Sequence, residues 1–196
     1  MKGNSGRQQL LDAVIEHFTD DGLADQSLRH IAAGVGTSHR MLLYHFGSKE
    51  ELLVAVARAV EERTLDQFAA VSGAGEATTD EVVRLMWAHV ADPALGDFER
   101  LFFALYGRAL QGDERMRPLL GENIQRWLDA NVAAAATQGV PAETARVHAR
   151  LGLAVTRGLL LDLLATGDRA GTDAALDAFA RHYSGTWCEA TIESAS

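Results

Sequence analysis

The chain has 196 residues, 47% hydrophobic and 23% charged, with a net charge of −9, a balance ordinary for a globular protein that buries a full core. One cysteine, Cys188, excludes an internal disulfide framework, suits a reducing compartment and reads as a packing residue. No stretch approaches the ~20 apolar residues of a membrane helix, and the start, Met1-Lys2-Gly3-Asn4-Ser5-Gly6-Arg7, lacks the apolar core of a signal peptide, so a cytoplasmic protein with no membrane partner is expected.

Taken in chain order, apolar residues recur at helical spacing nearly everywhere, with no convincing strand alternation. A first helix carries Leu11, Val14, Ile15 and Phe18 on one face, with Ser5-x-x-Gln8 as a capping box, and stops near Gly22. Ser27 caps a second helix burying Leu28, Ile31 and Val35. Gly36-Thr37 turns the chain, Ser38 caps a short third helix to about Phe46, and Ser48-x-x-Glu51 opens a longer one. A linker is expected at residues 72–75, followed by a capped start at Thr78-x-x-Glu81. Pro93 and Gly96 precede a helix over 98–110, and Gly112 and Pro118 lead into another that ends before Gly139. Pro141 sits in the first turn of a helix to Thr166. Gly167 and Gly171 frame a turn into a last helix over about 172–192. The expected fold is all-α, with about nine helices and no internal repeat. A three-helix head (1–47) precedes a helical bundle (48–196), and the helix over 48–71 connects the two.

An acidic chain is at first sight a poor partner for nucleic acid, but the charge is unevenly spread. Residues 26–49 contain no Asp or Glu, yet hold Arg29, Arg40, Lys49, His30, His39 and His45. Screening confines each charge to ~10 Å or less, so such a window still docks a phosphate backbone locally. Within it, two short helices joined by a Gly turn cross steeply if small residues sit at the contact. Ala32 and Ala33 supply that room, while Ile31, Val35 and Leu42 supply a shared core. The second helix then presents Ser38, His39, Arg40, Met41, Leu43, Tyr44 and His45, a mixture of donors and apolar tips suited to base edges and thymine methyls.

The run Ser27-Leu28-Arg29-His30-Ile31-Ala32-Ala33-Gly34-Val35-Gly36-Thr37-Ser38, then Tyr44-His45-Phe46-Gly47-Ser48-Lys49-Glu50-Glu51-Leu52-Leu53, resembles the head of the TetR family of transcriptional regulators over roughly residues 10–56. The chain departs from that pattern at Leu43, where an aromatic is usual, at Val35 for Ala, and at Arg40 and Met41 for small residues. The resemblance implies a homodimer that binds a palindromic operator in double-stranded DNA, usually to repress, and lets go when a small-molecule effector binds the body. It also implies backbone contact by Lys49. With Ser27, Arg29 and Thr37 added to the exposed face, these are the expected DNA-binding residues.

In the body, residues 151–165 are apolar almost all round, as a helix covered on more than one side would be. An intersubunit four-helix bundle is expected, with Leu151, Ala154, Val155, Gly158, Leu161 and Asp162 from this helix and Leu176, Phe179, Tyr183 and Trp187 from the last. Aromatic residues gather in the middle of the chain. A pocket for a small apolar or aromatic effector is expected among Met86, Trp87, Phe102, Phe103 and Trp127, with Tyr106, His89, Asn123 and Arg157 as its polar groups.

Enzyme signatures are missing: the sequence has no H-E-x-x-H, G-x-S-x-G, P-loop or Glu-x-x-His di-iron pair. Gly34-x-Gly36 follows a helix and does not continue as a dinucleotide fingerprint, and the seven histidines are scattered. No catalytic residue, metal or cofactor is expected.

Overall fold

A computed structural model describes the backbone at residues 2–22, 26–73, 78–114 and 116–193, and side chains between residues 6 and 182 with short gaps. Cys188, Tyr183 and Trp187 therefore have side chains outside the described ones. Among the described residues there are nine α-helices and one 3₁₀ turn: α1 (Lys2–Asp21), α2 (Leu28–Gly34), α3 (His39–Phe46), α4 (Lys49–Gly73), α5 (Thr79–Val90), the 3₁₀ turn (Pro93–Leu95), α6 (Gly96–Leu110), α7 (Arg117–Ala136), α8 (Ala142–Thr166) and α9 (Arg169–Glu193). The fold is all-α, a helix-turn-helix head on a helical body.

Local chemistry sets most boundaries. Ser27 accepts the His30 N–H at 3.2 Å and Ser38 accepts the Met41 N–H at 3.2 Å, each satisfying an orphan donor of the first turn. Ser48 accepts the Glu51 N–H at 3.1 Å, and the Thr78 N–H donates to Glu81 at 2.8 Å, as capping boxes require. Gly36 (φ 67°) turns the chain between α2 and α3 in a conformation that disfavours a side chain.

Three expectations shift. The first helix already runs through Ser5, so no capping box opens there; Gln8 donates along the helix to Asp12 at 3.1 Å instead. The expected linker at 72–75 is shortened from the front because α4 continues through Gly73. The last helix begins at Arg169, because the Asp168 carboxylate accepts the Gly171 N–H at 2.8 Å and caps it three residues before Thr172. Gly171 therefore lies in the first turn.

One hydrophobic core runs from Leu11, Val14, Ile31, Leu42 and Phe46 in the head into Leu52 and Val56 of α4 and Phe98, Leu101 and Leu105 of α6. A second joins Trp87 and Ala91 near the end of α5 to Leu160 of α8 and Leu176 of α9. Polar ties reinforce it: Trp87 Nε1 donates to Asp173 at 2.5 Å, and Arg169 bonds both Asp173 oxygens and the Ala91 carbonyl. Burial pushes Asp173 up, but the bonds from Trp87 and Arg169 outweigh it and hold the carboxyl below its usual range. No helix among the described residues is long and apolar enough to cross a membrane.

Candidate nucleic-acid interface and interior cavity

The head is built around α3. Leu42 and Phe46 face inward, 1% and 5% exposed, which turns Arg40, Met41, Leu43 and Tyr44 outward. Tyr44 is 78% exposed, unusual for a large aromatic with no partner in its own chain's core. Ser27, Arg29 and Ser38 are exposed as well, while Thr37, His39, His45 and Lys49 are half-buried. The face thus offers one guanidinium, hydroxyls, imidazoles and apolar tips at the start and along the side of one helix.

Two features hold this face that the sequence reading did not find. Arg7 of α1 donates to the His45 carbonyl at 3.2 Å and lies 4.9 Å from the centre of the Phe46 ring, tying α1 to the end of α3. The close approach beneath α2 is at Gly34, not Ala33. Ala33 is exposed, whereas a Cβ on Gly34 would fall 2.4 Å from the His17 ring. His17 is buried there, with Nδ1 facing Asp21 and Nε2 facing Gln26, each at 2.9 Å.

The body holds a partly open cavity of about 160 Å³ lined by α4 to α9. Its wall takes Glu61, Thr64 and Phe68 from α4, Met86 from α5, and Phe98, Glu99, Phe102 and Phe103 from α6. Trp127 of α7, Arg157 of α8 and Phe179 of α9 complete it. Five of the expected pocket residues are therefore on the wall: Met86, Phe102, Phe103, Trp127 and Arg157. Four are elsewhere. Trp87 is rotated about 100° from Met86 on α5 and packs toward α9 in the second core. His89 is in the last turn of that helix and is not on the wall. Tyr106 stands behind the wall, its ring 5.9 Å from Phe102, and Asn123 is buried as the acceptor for Arg157.

The wall is also more charged than its sequence neighbourhood suggests. Glu61 accepts from Trp127 Nε1 at 3.1 Å, and Arg157 lies 5.2 Å from the Phe102 ring centre. Burial, with the Glu61 charge adding to it and Arg157 opposing it, raises the Glu99 carboxyl to about 8. Burial likewise lowers Arg157, against the pull of Glu61, Tyr106 and Glu99. A signal was available. Glu99 heads the stripe Phe103, Tyr106, Leu110, and Glu61 sits among Ala57, Thr64 and Phe68, so each interrupts an apolar face at helical spacing. Among the described residues no group of three His, Cys, Asp or Glu side chains gathers as a metal site.

Residues 10–56 match the family model described as bacterial regulatory proteins, tetR family. The whole chain superposes on a TetR-family transcriptional regulator of Mesorhizobium loti with a TM-score of 0.72 and 19% identity, covering 95% of this chain and 96% of that one. Residues 10–56 are thus a head of the TetR family, and the chain as a whole has the fold of TetR-family regulators. Relatives include the HTH-type transcriptional regulator BetI of Rhizobium meliloti, 28% identical over 79% of this chain and 76% of its own. The HTH-type transcriptional regulator SrpR of Pseudomonas putida is 25% identical over 84% and 76%. These relatives are transcription regulators, not enzymes, and this chain is a DNA-binding transcription regulator with a helix-turn-helix head.

The faces expected to pair two subunits divide. Leu151 and Leu161 are 52% exposed, and with Val147, Ala154 and Gly158 they form one stripe along α8. A Cβ on Gly158 would meet nothing within 4 Å, so its own protomer does not require the glycine. Val155 is half-buried and Asp162 exposed. Leu176, by contrast, is 1% exposed in its own protomer's core, and Phe179 is on the cavity wall.

Proposed function

We propose that this protein is a ligand-responsive repressor that binds a palindromic operator as a homodimer and releases it when a small apolar or aromatic molecule enters the cavity. Residues 1–47 form the reading head and 48–196 the sensing and dimerising body, working in the cytoplasm. The observation that carries this reading is α4. Its first residue is Lys49, at the DNA-facing end, and Glu61 on the cavity wall follows twelve residues later, about 18 Å along one unbroken helix. A molecule that displaces the cavity segment therefore moves the head without any intermediate joint. The exposed α8 stripe from Val147 to Leu161 supports a two-fold partner, which a palindrome reader requires.

The test starts from the protein's own binding sites mapped on its genome, followed by shift assays on the recovered sequence. Arg40→Ala is expected to cost about 1–3 kcal/mol and relax preference at one base per half-site. Lys49→Ala is expected to weaken every sequence alike and flatten the salt dependence. No change in affinity or base preference with Arg40→Ala overturns the reading-helix assignment, and a wild type that sediments as a monomer at micromolar concentration overturns the dimer.

A further inference from the structure

The cavity wall holds two carboxylates, and its one guanidinium is already engaged. Arg157 donates to the Asn123 Oδ1 and lies over Phe102 at 5.2 Å and Tyr106 at 6.0 Å. Glu61 has one donor, Trp127 Nε1. Glu99 has no hydrogen-bond donor or ion-pair partner among the described residues, although it lies on the cavity wall beside Phe98, Phe102 and Phe103. A carboxylate so placed is costly unless it takes a proton or a positive charge comes to it. Around the pair stand aromatic rings at mutual angles: Trp127 lies 5.6 Å from Phe68 at 60°, and Phe103 lies 5.6 Å from Phe102 at 77°. Rings splayed in this way present faces and edges in several directions, and ring faces attract a desolvated cation. An anion would meet two carboxylates against one guanidinium, Arg157; a neutral molecule would leave Glu99 without a direct partner for its ionised form.

We propose that the effector is a small organic monocation with apolar substituents, its positive centre held by Glu61 and Glu99 and by the rings of Phe68, Phe103 and Trp127. This rests on the cavity being the effector site. A volume of about 160 Å³ is close to that of an engineered cavity of roughly 150 Å³ that holds benzene, so a headgroup with one ring or a few alkyl arms is the fitting size. The cation favours the ionised form of Glu99. Below the free value of about 8, binding therefore expels a proton, and affinity rises with pH and levels off above 8. The titratable groups facing Glu99 are Glu61 of α4 and Arg157 of α8, with Tyr106 of α6 behind Arg157.

The experiment is calorimetric titration of the full-length protein with benzyltrimethylammonium, its neutral carbon isostere neopentylbenzene, and benzenesulfonate, between pH 6 and pH 9. The expected result is cation binding about tenfold tighter than the isostere, a rise in cation affinity of several-fold or more up to about pH 8, and no sulfonate binding. Glu99→Gln is expected to remove the pH dependence. Glu61→Gln is expected to lose about tenfold for the cation and nothing for the isostere, whose unchanged binding also reports an intact fold. Isostere binding equal to or tighter than the cation overturns the proposal. If that isostere also releases the operator, the cavity remains the effector site and only the charge assignment falls. Failure of all three probes to bind takes down both.

Discussion

In the head, α1, α2 and α3 close on Val14, Ile31 and Leu42, all 1% exposed or less. In the body, α4 to α8 and part of α9 line about 160 Å³ of unfilled volume and place carboxylates against it. The same hydrophobic pattern drives both regions, but the inward apolar side chains of the head go into one buried core, while Met41, Leu43 and Tyr44 are left outward on the reading face. The body leaves Phe68, Phe98, Phe103 and Trp127 partly satisfied by one another and partly facing a gap. Close-packed interiors tolerate little change of volume, so the head is the rigid partner. A cavity lined by a carboxylate near its titration point is a place where small inputs change the balance of forces. Reading and sensing thus divide along a difference in packing, with the core that runs through Leu52, Val56 and Phe98 as the seam.

The largest expected effect attacks the packed region. Leu42→Ala removes a side chain 1% exposed from a core continuous with α4 and α6, and is expected to cost about 2–5 kcal/mol. Because that core crosses from head to body, thermal unfolding should remain one transition at a lower midpoint. A split into two transitions, with the body unshifted, would show that head and body are independent and break the comparison.

A smaller effect, of opposite sign, belongs to the cavity. Glu99 has a folded-state value of about 8 against an ordinary 4.5. Between those values the folded state binds more protons than the unfolded one, so stability falls as pH rises from about 4.5 to about 8. Glu99→Gln removes that slope. The variant should match the wild type near pH 4 and exceed it at pH 8 by about 1–3 kcal/mol, less than the full shift because the carboxyl keeps some solvent. Urea unfolding at the two pH values reads the difference, and a variant less stable than wild type at pH 8 contradicts the desolvated placement of Glu99.

How much of this was legible in the sequence follows from the same division. Caps act within three residues, so Ser27, Ser38, Ser48 with Glu51, and Thr78 with Glu81 were readable in place, as were the inward positions Ile31 and Leu42. The Gly34–His17 contact joins residues seventeen apart on different helices, and only the three-dimensional approach of α1 to α2 makes that glycine necessary. In the body the aromatic residues were visible but their directions were not. Met86 and Trp87 are neighbours in sequence and face different cores, and a pattern read around the whole helix cannot choose between two apolar faces. Glu61 and Glu99 each lie in a run of charged neighbours, Glu61-Glu62-Arg63 and Asp97-Phe98-Glu99-Arg100, and that local composition resembles a solvated face. Their helical phase, which places them on apolar stripes, outweighed that local composition.

The smallest expected effect sharpens the comparison by making the same change in both regions. Ser38 is the cap of α3, a helix of only eight residues, and Ser38→Ala is expected to cost about 1 kcal/mol, lowering the thermal midpoint by about 2–4 °C for a domain of this size. The inner side of α3 is pinned by Leu42 and Phe46, so the loss falls on the first turn, where His39, Arg40 and Met41 stand. Operator affinity should therefore drop about fivefold, the equivalent of about 1 kcal/mol. Thr78→Ala removes the matching cap of α5 in the body and should produce a similar thermal shift with operator affinity unchanged. Ser38→Gly separates the cap from the hydroxyl, since glycine at a cap costs only a few tenths of a kcal/mol. If Ser38→Gly restores operator binding, the serine acts by ordering the first turn; if it does not, the hydroxyl itself touches the phosphate backbone. Equal operator losses from Ser38→Ala and Thr78→Ala would mean that the two regions respond as one body, and the division between a rigid reader and a yielding sensor would not hold.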